Sequence, residues 1–413
     1  MAIKPIAITG FKGINNRVDP TRLGLEWQLE ASNVLCDNAS YLVRRPGYAE
    51  FATDVADLHG TDDGRMFLVS TTGVLSEVTA DGVSRERATG FTGAPFQWTE
   101  LGYAVFALSE TTAWCIYPNR VVAWGIPTLD APTLTLDTGT LEAGTYLVAC
   151  ILVAPDGRQG GCSGVSSIEV AEGQGIFVDA PEVAGYTTVT YLSTADGTIL
   201  YQITNSDGPL TIQSLPAEGP ILEYLYSYPP PINGLVSAHR NRLCIAVWEP
   251  EHDRTVLYWS KPDAPHLFEL ETDYQMVAGK PVLLTQAGGA LLIGTDRTLT
   301  AYTDGQPPQR LADYGALPDT ATRLDSGQVA FWTDRGLCRF PPFENVTQTA
   351  LIPDNRSHST GAVLNHAGSS YFVTAMRGNI RQRSPLAPYE PLQVFDSITG
   401  NAVSTVTATG KLD

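Results

Sequence analysis

The chain has 413 residues, of which 43% are hydrophobic, enough to build one large core or two ordinary ones without metals or disulfides. Its formal net charge of −18 argues against nucleic-acid binding, because such binding depends on Lys and Arg displacing counterions from phosphates. The 38 glycines and 28 prolines stand singly between short β-branched and aromatic runs, which predicts an all-β chain of many short strands.

One helix is predicted near the start of the chain, over about Gly24 to Val34. Leu25, Leu29 and Ala31 stand there at near-helical spacing. No other segment shows a comparable helical pattern.

The leading residues Met1 to Gly10 lack the basic start and the apolar run of a secretory signal. The longest apolar stretch, Tyr146 to Ala154, is too short to cross a bilayer. We therefore expect synthesis and folding in a cytosol, with no membrane anchor.

A unit made of an apolar strand core, a tight polar turn and a second strand recurs along the chain. Successive cores are 38, 139, 48, 38 and 42 residues apart, measured between their second residues: Phe67, Val105, Cys244, Leu292, Ala330 and Phe372. Four of these intervals approach the roughly 40 to 50 residues of one propeller blade. The pattern predicts a β-propeller of about six blades, within residues 1–127 and 229–385.

The ring of blades must close, because an open ring leaves unpaired strand edges. A strand predicted over Tyr41 to Phe51 could complete the last blade near Ser369. Residues 386–413 are rich in Thr, Ser and Ala and are expected to form an extended tail, ordered by a partner.

The one long interval indicates a domain inserted between two blades, over residues 128–228. Ile126 and Pro127 precede it, and the run Pro229 to Pro231 follows it. Its short strands with regular turns predict an immunoglobulin-like or fibronectin-like β-sandwich.

No pattern of catalytic residues, cofactor ligands or metal ligands is found, and no enzyme activity is expected. The acidic clusters Asp54 to Asp63 and Glu249 to Asp253 lack the ligand order of a calcium loop. The segment Ser193 to Thr198 faintly resembles a sialidase aspartate box, but its spacing is wrong and we interpret it as a hairpin turn. Cys150 and Cys162 flank a hairpin and could meet, although a reducing compartment favours free thiols.

The segment GINNRVDPTRL (Gly13 to Leu23), followed by EASNVLCDNASYLVRRPGY (Glu30 to Tyr48), resembles the opening of a family of bacteriophage tail proteins. That family has a Gly-hydrophobic-Asn and Asp-Pro stretch, then an Ala-x-Asn-hydrophobic segment and an Arg-Pro-Gly turn. A Trp-x-Ile-Pro segment precedes its inserted sandwich, and a Tyr-x-Ser-Thr-x-x-Gly-Thr strand resembles Tyr191 to Thr198. The other matching positions are Gly13, Ile14, Asn15, Asp19, Pro20, Ala31, Asn33, Val34, Arg45, Pro46, Gly47, Trp124, Ile126 and Pro127.

The chain thus resembles the nozzle proteins of short-tailed phages, also called tail tubular protein B or phage stabilisation protein. The resemblance implies a virion protein, assembled in the host cytoplasm, that forms a six-membered ring below the head-to-tail adaptor. It implies contacts with that adaptor and with a tail fibre, spike or needle protein. Genomic DNA would pass through the lumen without sequence-specific binding.

Two other functions remain open at this point. A phage-associated propeller could bind or hydrolyse glycans at the host surface, which requires carboxylates about 5 to 10 Å apart. An intracellular protein-binding propeller would suit the same fold but leaves the N-terminal motif unexplained.

Overall fold

The computed structural model is all-β, and its propeller-like character lies in a succession of small antiparallel sheets. Within the described part of the chain the helices are two single 3₁₀ turns, Pro20–Arg22 and Pro250–His252. The structure describes residues 10–15, 18–28, 34–36, 41–44, 51–79, 82–162, 164–205, 208–215, 219–303, 305–347, 358–366, 368–377, 392–396 and 402–406.

The chain divides into two compact units, and each is described by itself. One, here called the middle unit, consists of Asp54–Val247 and Val256–Met276. The other, here called the terminal unit, consists of Met1–Thr53, Trp248–Thr255 and Val277–Asp413.

The terminal unit begins with two pairs of very short strands. Gly13–Ile14 (β1) and Trp27–Gln28 (β2) pair in parallel, and Val34–Cys36 (β3) pairs antiparallel with Leu42–Arg44 (β4). The predicted helix over Gly24 to Val34 is therefore wrong where the structure describes it. Pairing to a neighbouring strand overrides the weak helical spacing there.

The first sheet of the middle unit is antiparallel, and its strands stand in chain order. Its members are Val55–Gly60 (β5), Met66–Ser70 (β6), Val74–Val78 (β7) and Ser84–Thr89 (β8). Phe67 and Val69 alternate with more exposed neighbours along β6 and are completely buried. Their core is shared with Val105 and Ala107 of the next sheet, so the two sheets pack face to face.

The second sheet has the same order. It consists of Gln97–Leu101 (β9), Ala104–Leu108 (β10), Ala113–Ile116 (β11) and Val121–Ala123 (β12). All five residues of β10 are buried because both of its faces are covered. Val105 faces the first sheet, while Phe106 packs on Leu243 and Ile245 of a later sheet.

Two facing sheets, here called the two-sheet segment, follow in the chain. One sheet has the order β13-β16-β19 and the other β15-β14-β17-β18. One core lies between them, with Ile176 on the first sheet and Val148 on the second. The strands are Thr133–Thr138 (β13), Gly144–Val153 (β14), Ser166–Val170 (β15), Gln174–Asp179 (β16), Thr187–Leu192 (β17), Tyr201–Asn205 (β18) and Leu210–Ile212 (β19).

The next sheet has five strands. Four are in chain order, and the fifth pairs with the third strand. They are Gly234–His239 (β20), Arg242–Glu249 (β21), Arg254–Lys261 (β22), Ala264–Phe268 (β23) and Tyr274–Ala278 (β24).

The terminal unit contains three further four-stranded sheets in chain order. The first two share a core around Phe331, and a second core combines Trp332 with Phe372 of the third. Their strands are Pro281–Ala287 (β25), Ala290–Thr295 (β26), Leu299–Tyr302 (β27), Gln309–Ala312 (β28), Thr322–Arg323 (β29), Val329–Thr333 (β30), Gly336–Phe340 (β31), Glu344–Asn345 (β32), His358–His366 (β33), Ser369–Arg377 (β34), Leu392–Asp396 (β35) and Ala402–Val406 (β36).

Each of the six predicted strand cores lies on the second strand of its sheet. The strands are β6, β10, β21, β26, β30 and β34. The sequence Thr-Asp-Arg occurs twice, at Thr295 to Arg297 and at Thr333 to Arg335, in the turns that follow β26 and β30. In both, the threonine hydroxyl (Thr295 or Thr333) accepts a bond from the backbone N–H two residues later, at 3.2 Å.

The last sheet differs from expectation in two segments, the C-terminal tail and the strand predicted over Tyr41 to Phe51. The tail expected to be extended supplies β35 and β36, which complete this sheet by pairing after β34. Within the described residues, the predicted closing strand consists of β4 alone, and β4 pairs with β3. The neighbours of β36 from the start of the chain are β1 and β3. The two segments pair because β34 offers a strand edge, which a short extended segment can join through antiparallel backbone hydrogen bonds.

Candidate functional site: the root of the two-sheet segment

The root is the place, within the middle unit, where the chain enters and leaves the two-sheet segment. The incoming segment contains Gly125, and the outgoing segment contains Pro229 and Pro230. A Cβ atom added at Gly125 would lie 2.7 Å from Cβ of Pro229 and 2.8 Å from Cδ of Pro230. The two segments cross at a distance that only glycine permits.

Trp124 anchors the incoming segment. Its ring is completely buried, tilted against Phe106 at 4.9 Å and edge-on to Phe268 at 6.1 Å between centroids. The indole Nε1 donates to the carbonyl of Pro265 at 2.8 Å. The side chain therefore joins the second sheet (β9 to β12) to the β20 to β24 sheet, with its polar atom satisfied.

Two residues after Trp124, Ile126 enters the core of the two-sheet segment instead. It is completely buried there. Cβ atoms added at Gly160 and Gly161 would lie 2.8 Å from Cγ2 of Ile126 and 1.8 Å from the carbonyl oxygen of Ser227. The hairpin after β14 is thus wedged against both the incoming and the outgoing chain.

Arg158, at the tip of this hairpin, forms an ion pair within the hairpin and connects it to β12 and Trp124 through hydrogen bonds to backbone carbonyls. Nε of Arg158 donates to Asp156 at 2.8 Å, and its two other nitrogens donate to the carbonyls of Trp124 at 2.7 Å and Ala123 at 2.9 Å. Both side chains are largely buried, with 15% and 8% of their surface exposed. Burial acts to raise the pKa of Asp156, but hydrogen bonds from Arg158, with the charges of Arg158 and Arg120, hold that pKa below its usual value.

His266 on β23 fastens the opposite side of the hairpin. Its Nε2 lies 2.9 Å from the carbonyl oxygen of Gln159, where it acts as the donor. Burial lowers the pKa of His266, and the nearby Arg158 lowers it further, while the bond to Gln159 opposes both effects. The ring is therefore favoured in its neutral form.

The outgoing chain is bonded on both sides. The N–H of Tyr226 donates to the carbonyl of Cys162 at 2.7 Å. Tyr228 and Phe268 exchange two backbone bonds, at 2.8 and 2.9 Å. Strand-like pairing thus joins the two-sheet segment to β23.

The root is built to resist motion. Its aromatic anchor, its close glycine contacts and its ion pair all oppose tilting of the two-sheet segment against the neighbouring sheets. The sequence motif had named three residues of the root: Trp124, Ile126 and Pro127. Trp124 and Ile126 are buried, and Pro127 is exposed.

Sequence reasoning missed Arg158, Asp156 and His266. A count of charges could have singled out Arg158, because residues 128–228 contain twelve acidic residues and Arg158 is their single basic residue. A lone cation among so many carboxylates indicates an internal partner.

The N-terminal motif residues lie elsewhere, in the terminal unit. Ile14 is buried in the core with Trp332 and Phe372, and Asn15 is 6% exposed, its Oδ1 accepting from the N–H of Val18 at 3.3 Å. This part of the motif secures β1.

Beside it, Asp19 caps the 3₁₀ turn that Pro20 opens, accepting from the Thr21 hydroxyl and N–H at 2.5 and 2.8 Å. These bonds lower the pKa of Asp19, with the hydroxyl bond as the largest cause. Asn33, Arg45, Pro46 and Gly47 lie outside the described residues.

The segment with a faint likeness to an aspartate box connects β17 to β18 as a hairpin turn, as interpreted. Asp196 Oδ1 accepts from the N–H of Thr145 at 2.9 Å, and Ser193 Oγ accepts from the N–H of Leu147 at 2.9 Å. Both side chains thus bond to backbone N–H groups of β14.

Arginines engage the acidic clusters that could have held calcium. Asp253 pairs with Arg297 at 2.6 Å, and Asp63 with Arg65 at 2.8 Å. Across the described ranges no group of three or more His, Cys, Asp or Glu side chains could hold a metal ion. Cys150 and Cys162 are buried free thiols.

Nor does the described part of the chain contain a helix with the length and apolar character needed to span a membrane.

Comparison with known proteins assigns no family. No family model matches the chain, and no curated protein does. Solved structures that resemble it do so distantly: PorZ of Porphyromonas gingivalis is 12% identical over 88% of this chain and 56% of PorZ, with a TM-score of 0.24. The chain therefore spans just over half of PorZ.

Two further matches extend over most of the matched structures. BamB from Moraxella catarrhalis is 13% identical over 84% of this chain and 89% of its own, with a TM-score of 0.32. BBS1N, solved in complex with ARL6DN, is 10% identical over 84% and 94%, with a TM-score of 0.34. Both are propeller folds, but likenesses at these scores carry no argument about this chain.

Proposed function

We propose that the protein is a structural subunit of a short-tailed bacteriophage tail nozzle, without catalytic activity. Six copies form a ring below the head-to-tail adaptor and extend the channel through which the genome leaves. The observation that carries the proposal is the N-terminal motif, whose Gly13, Asn15, Asp19 and Pro20 resemble the opening of that family and have definite structural roles here.

In this proposal the six small sheets are the blades of one propeller and the two-sheet segment is an inserted immunoglobulin-like or fibronectin-like sandwich. A channel wall must withstand internal pressure, and packed blades without long exposed edges suit that load. The root supports the same reading, because Trp124 and Arg158 brace the sandwich against neighbouring sheets. A braced sandwich offers a rigid second surface for ring neighbours or for a distal fibre, spike or needle.

The net charge of −18 suits a passive conduit, since like charge keeps DNA from adhering as it moves. No sequence-specific binding of the genome is part of the proposal.

Mass spectrometry of purified particles, combined with electron microscopy of the tail, tests the proposal. We expect the chain in the particle at six copies per tail, in a ring whose lumen admits a duplex of about 20 Å. Absence of the chain from purified particles rejects the proposal. Hydrolysis of host-surface glycans by the purified protein would favour the glycan-processing alternative instead.

A further inference from the structure

The exposed surface of the two-sheet segment carries negative charge only. Residues 128–228 contain one basic residue, Arg158, and it is buried in the root against Asp156. The exposed carboxylates of the described residues are Asp130, Asp137, Glu142, Glu169, Glu172, Asp179, Glu182, Asp196 and Glu223. No lysine or arginine compensates them on this segment.

One strand at the edge of this segment is open. Within the described residues β13 pairs with β16 alone. The N–H of Gly139 donates to the carbonyl of Gly173 at 3.2 Å, and bonded pairs alternate along an antiparallel ladder. Thr135 therefore bonds to β16, while Leu134 and Leu136 direct their backbone groups away from the sheet.

The positions on either side of these two leucines are already satisfied. The carbonyl of Pro132 accepts from Ser166 Oγ at 2.5 Å, and the N–H of Thr138 donates to Asp137 Oδ1 at 2.7 Å. The open part of the edge is therefore centred on Leu134 and Leu136, which together offer two N–H and two C=O groups.

The same edge is apolar at one point and lacks the usual protection. Leu136 is 48% exposed, while Leu134 packs against the core. Natural edge strands are commonly blocked by lysine, proline or a bulge, and β13 contains none of these. Such an edge is suited to the addition of a strand.

Carboxylates surround the edge and select the strand that can be added. Asp137 lies on β13, Asp179 is opposite Thr133, and Glu172 precedes the Gly173 that faces Gly139. Pairing with the same edge of a second copy would bring like charges together, which is costly. A strand bearing Lys or Arg would be attracted.

We propose that β13 is a docking edge for an extended basic segment of a partner protein. The added strand bonds to the backbone of Leu134 and Leu136, covers Leu136 with an apolar side chain and directs cations to the surrounding carboxylates. The inference depends on the two-sheet segment alone and not on the tail-ring proposal.

The experiment measures binding of short synthetic peptides to the full chain. The probe alternates Lys with Val, and two controls replace Lys by Glu or replace every second Val by Pro, which preserves the charge but prevents pairing. We expect the Lys-Val peptide to bind at least about tenfold more tightly than either control, more weakly at high salt. Hydrogen exchange should slow in residues 133–138 on binding.

Variants of the chain separate strand addition from charge. Leu136→Pro removes one outward N–H without breaking the ladder to β16 and should abolish binding, whereas Leu136→Thr preserves the N–H and should retain most of it. Joint neutralisation by Asp137→Asn, Glu172→Gln and Asp179→Asn should weaken binding about tenfold. The matched control neutralises three exposed carboxylates outside the segment, by Glu110→Gln, Asp263→Asn and Asp325→Asn.

Several outcomes would overturn the proposal. Equal binding by the Pro-containing peptide or by Leu136→Pro would reduce the interaction to charge alone. Equal binding by the Glu-Val peptide, or no binding of the Lys-Val peptide, would reject a basic partner. Self-association lost in Leu136→Pro would make a second copy the occupant of the edge.

Discussion

The root and the β13 edge of the two-sheet segment differ in how their charges and backbone groups are satisfied. At the root, Asp156 and Arg158 neutralise each other, and the outgoing chain pairs with β23. At the β13 edge, carboxylates stand without a cation and two residues leave their backbone groups open. The root thus makes permanent contacts within the chain, whereas the β13 edge is suited to the partner proposed above.

The largest expected effect comes from removing the anchor of the root. Trp124→Ala should lower the free energy of unfolding by about 3–5 kcal/mol, because a buried aromatic ring and its bond to Pro265 are lost. Denaturant titration measures the change. Tyr103→Ala, at a side chain that is 75% exposed, is the control and should change it by less than about 0.5 kcal/mol. Equal effects of the two substitutions would contradict an anchoring role.

A smaller loss is expected when the ion pair of the root is broken. Arg158→Met should cost about 3 kcal/mol, the lower limit for a buried pair, because Arg120 still lies 3.5 Å from Asp156. Hydrogen exchange should rise at residues 121–127 and 154–162. If exchange rose only in β13, Arg158 would not be a fastening of the root.

Acid should weaken the root through His266. The pKa of His266 is lower in the folded chain than in the unfolded one, so its stabilising contribution is complete above about pH 6.5 and is lost as pH falls below that value. The melting temperature of the wild type should therefore fall further between pH 7.5 and 5 than that of His266→Asn.

His59 responds in the same pH range and must be measured separately. Burial lowers its pKa to about 4, with Asp62 opposing, and its ring stacks on Trp98 at 5.1 Å, away from the root. His59→Gln should flatten the same slope, and the double variant should flatten it more than either single one. An unchanged slope in His266→Asn would show that the root is indifferent to acid.

The smallest effect is expected at the edge. Glu172→Gln with Asp179→Asn should change the free energy of unfolding by less than about 0.5 kcal/mol, since substitutions of exposed side chains rarely change it more. At low salt the free energy of unfolding should rise slightly, because the substitutions remove repulsion between like charges. Asp156→Asn is the matched change at the root and should lower the free energy of unfolding. If the substitutions at the root and at the β13 edge changed that free energy equally, the two regions would not differ as described.

Strand cores were predictable where a short apolar run is bounded by turn residues. The six cores from Phe67 to Phe372 each lie in a strand, because such runs and the turns that bound them are local information. The short strands Leu392–Asp396 and Ala402–Val406 were missed, because the overall Thr, Ser and Ala content of residues 386–413 predicted a tail, whereas their pairing depends on the strand edge that β34 offers. The predicted helix failed for the same reason, as Trp27–Gln28 finds a partner in β1.

The sequence by itself determined that this chain is all-β, where six of its strand cores lie, and which Trp and Gly residues are present for a close junction. Only the tertiary structure decided that Arg158 and His266 meet around one hairpin and that β13 remains an open edge. Pairing between distant segments depends on which backbone groups are already occupied, and one-dimensional spacing does not record that.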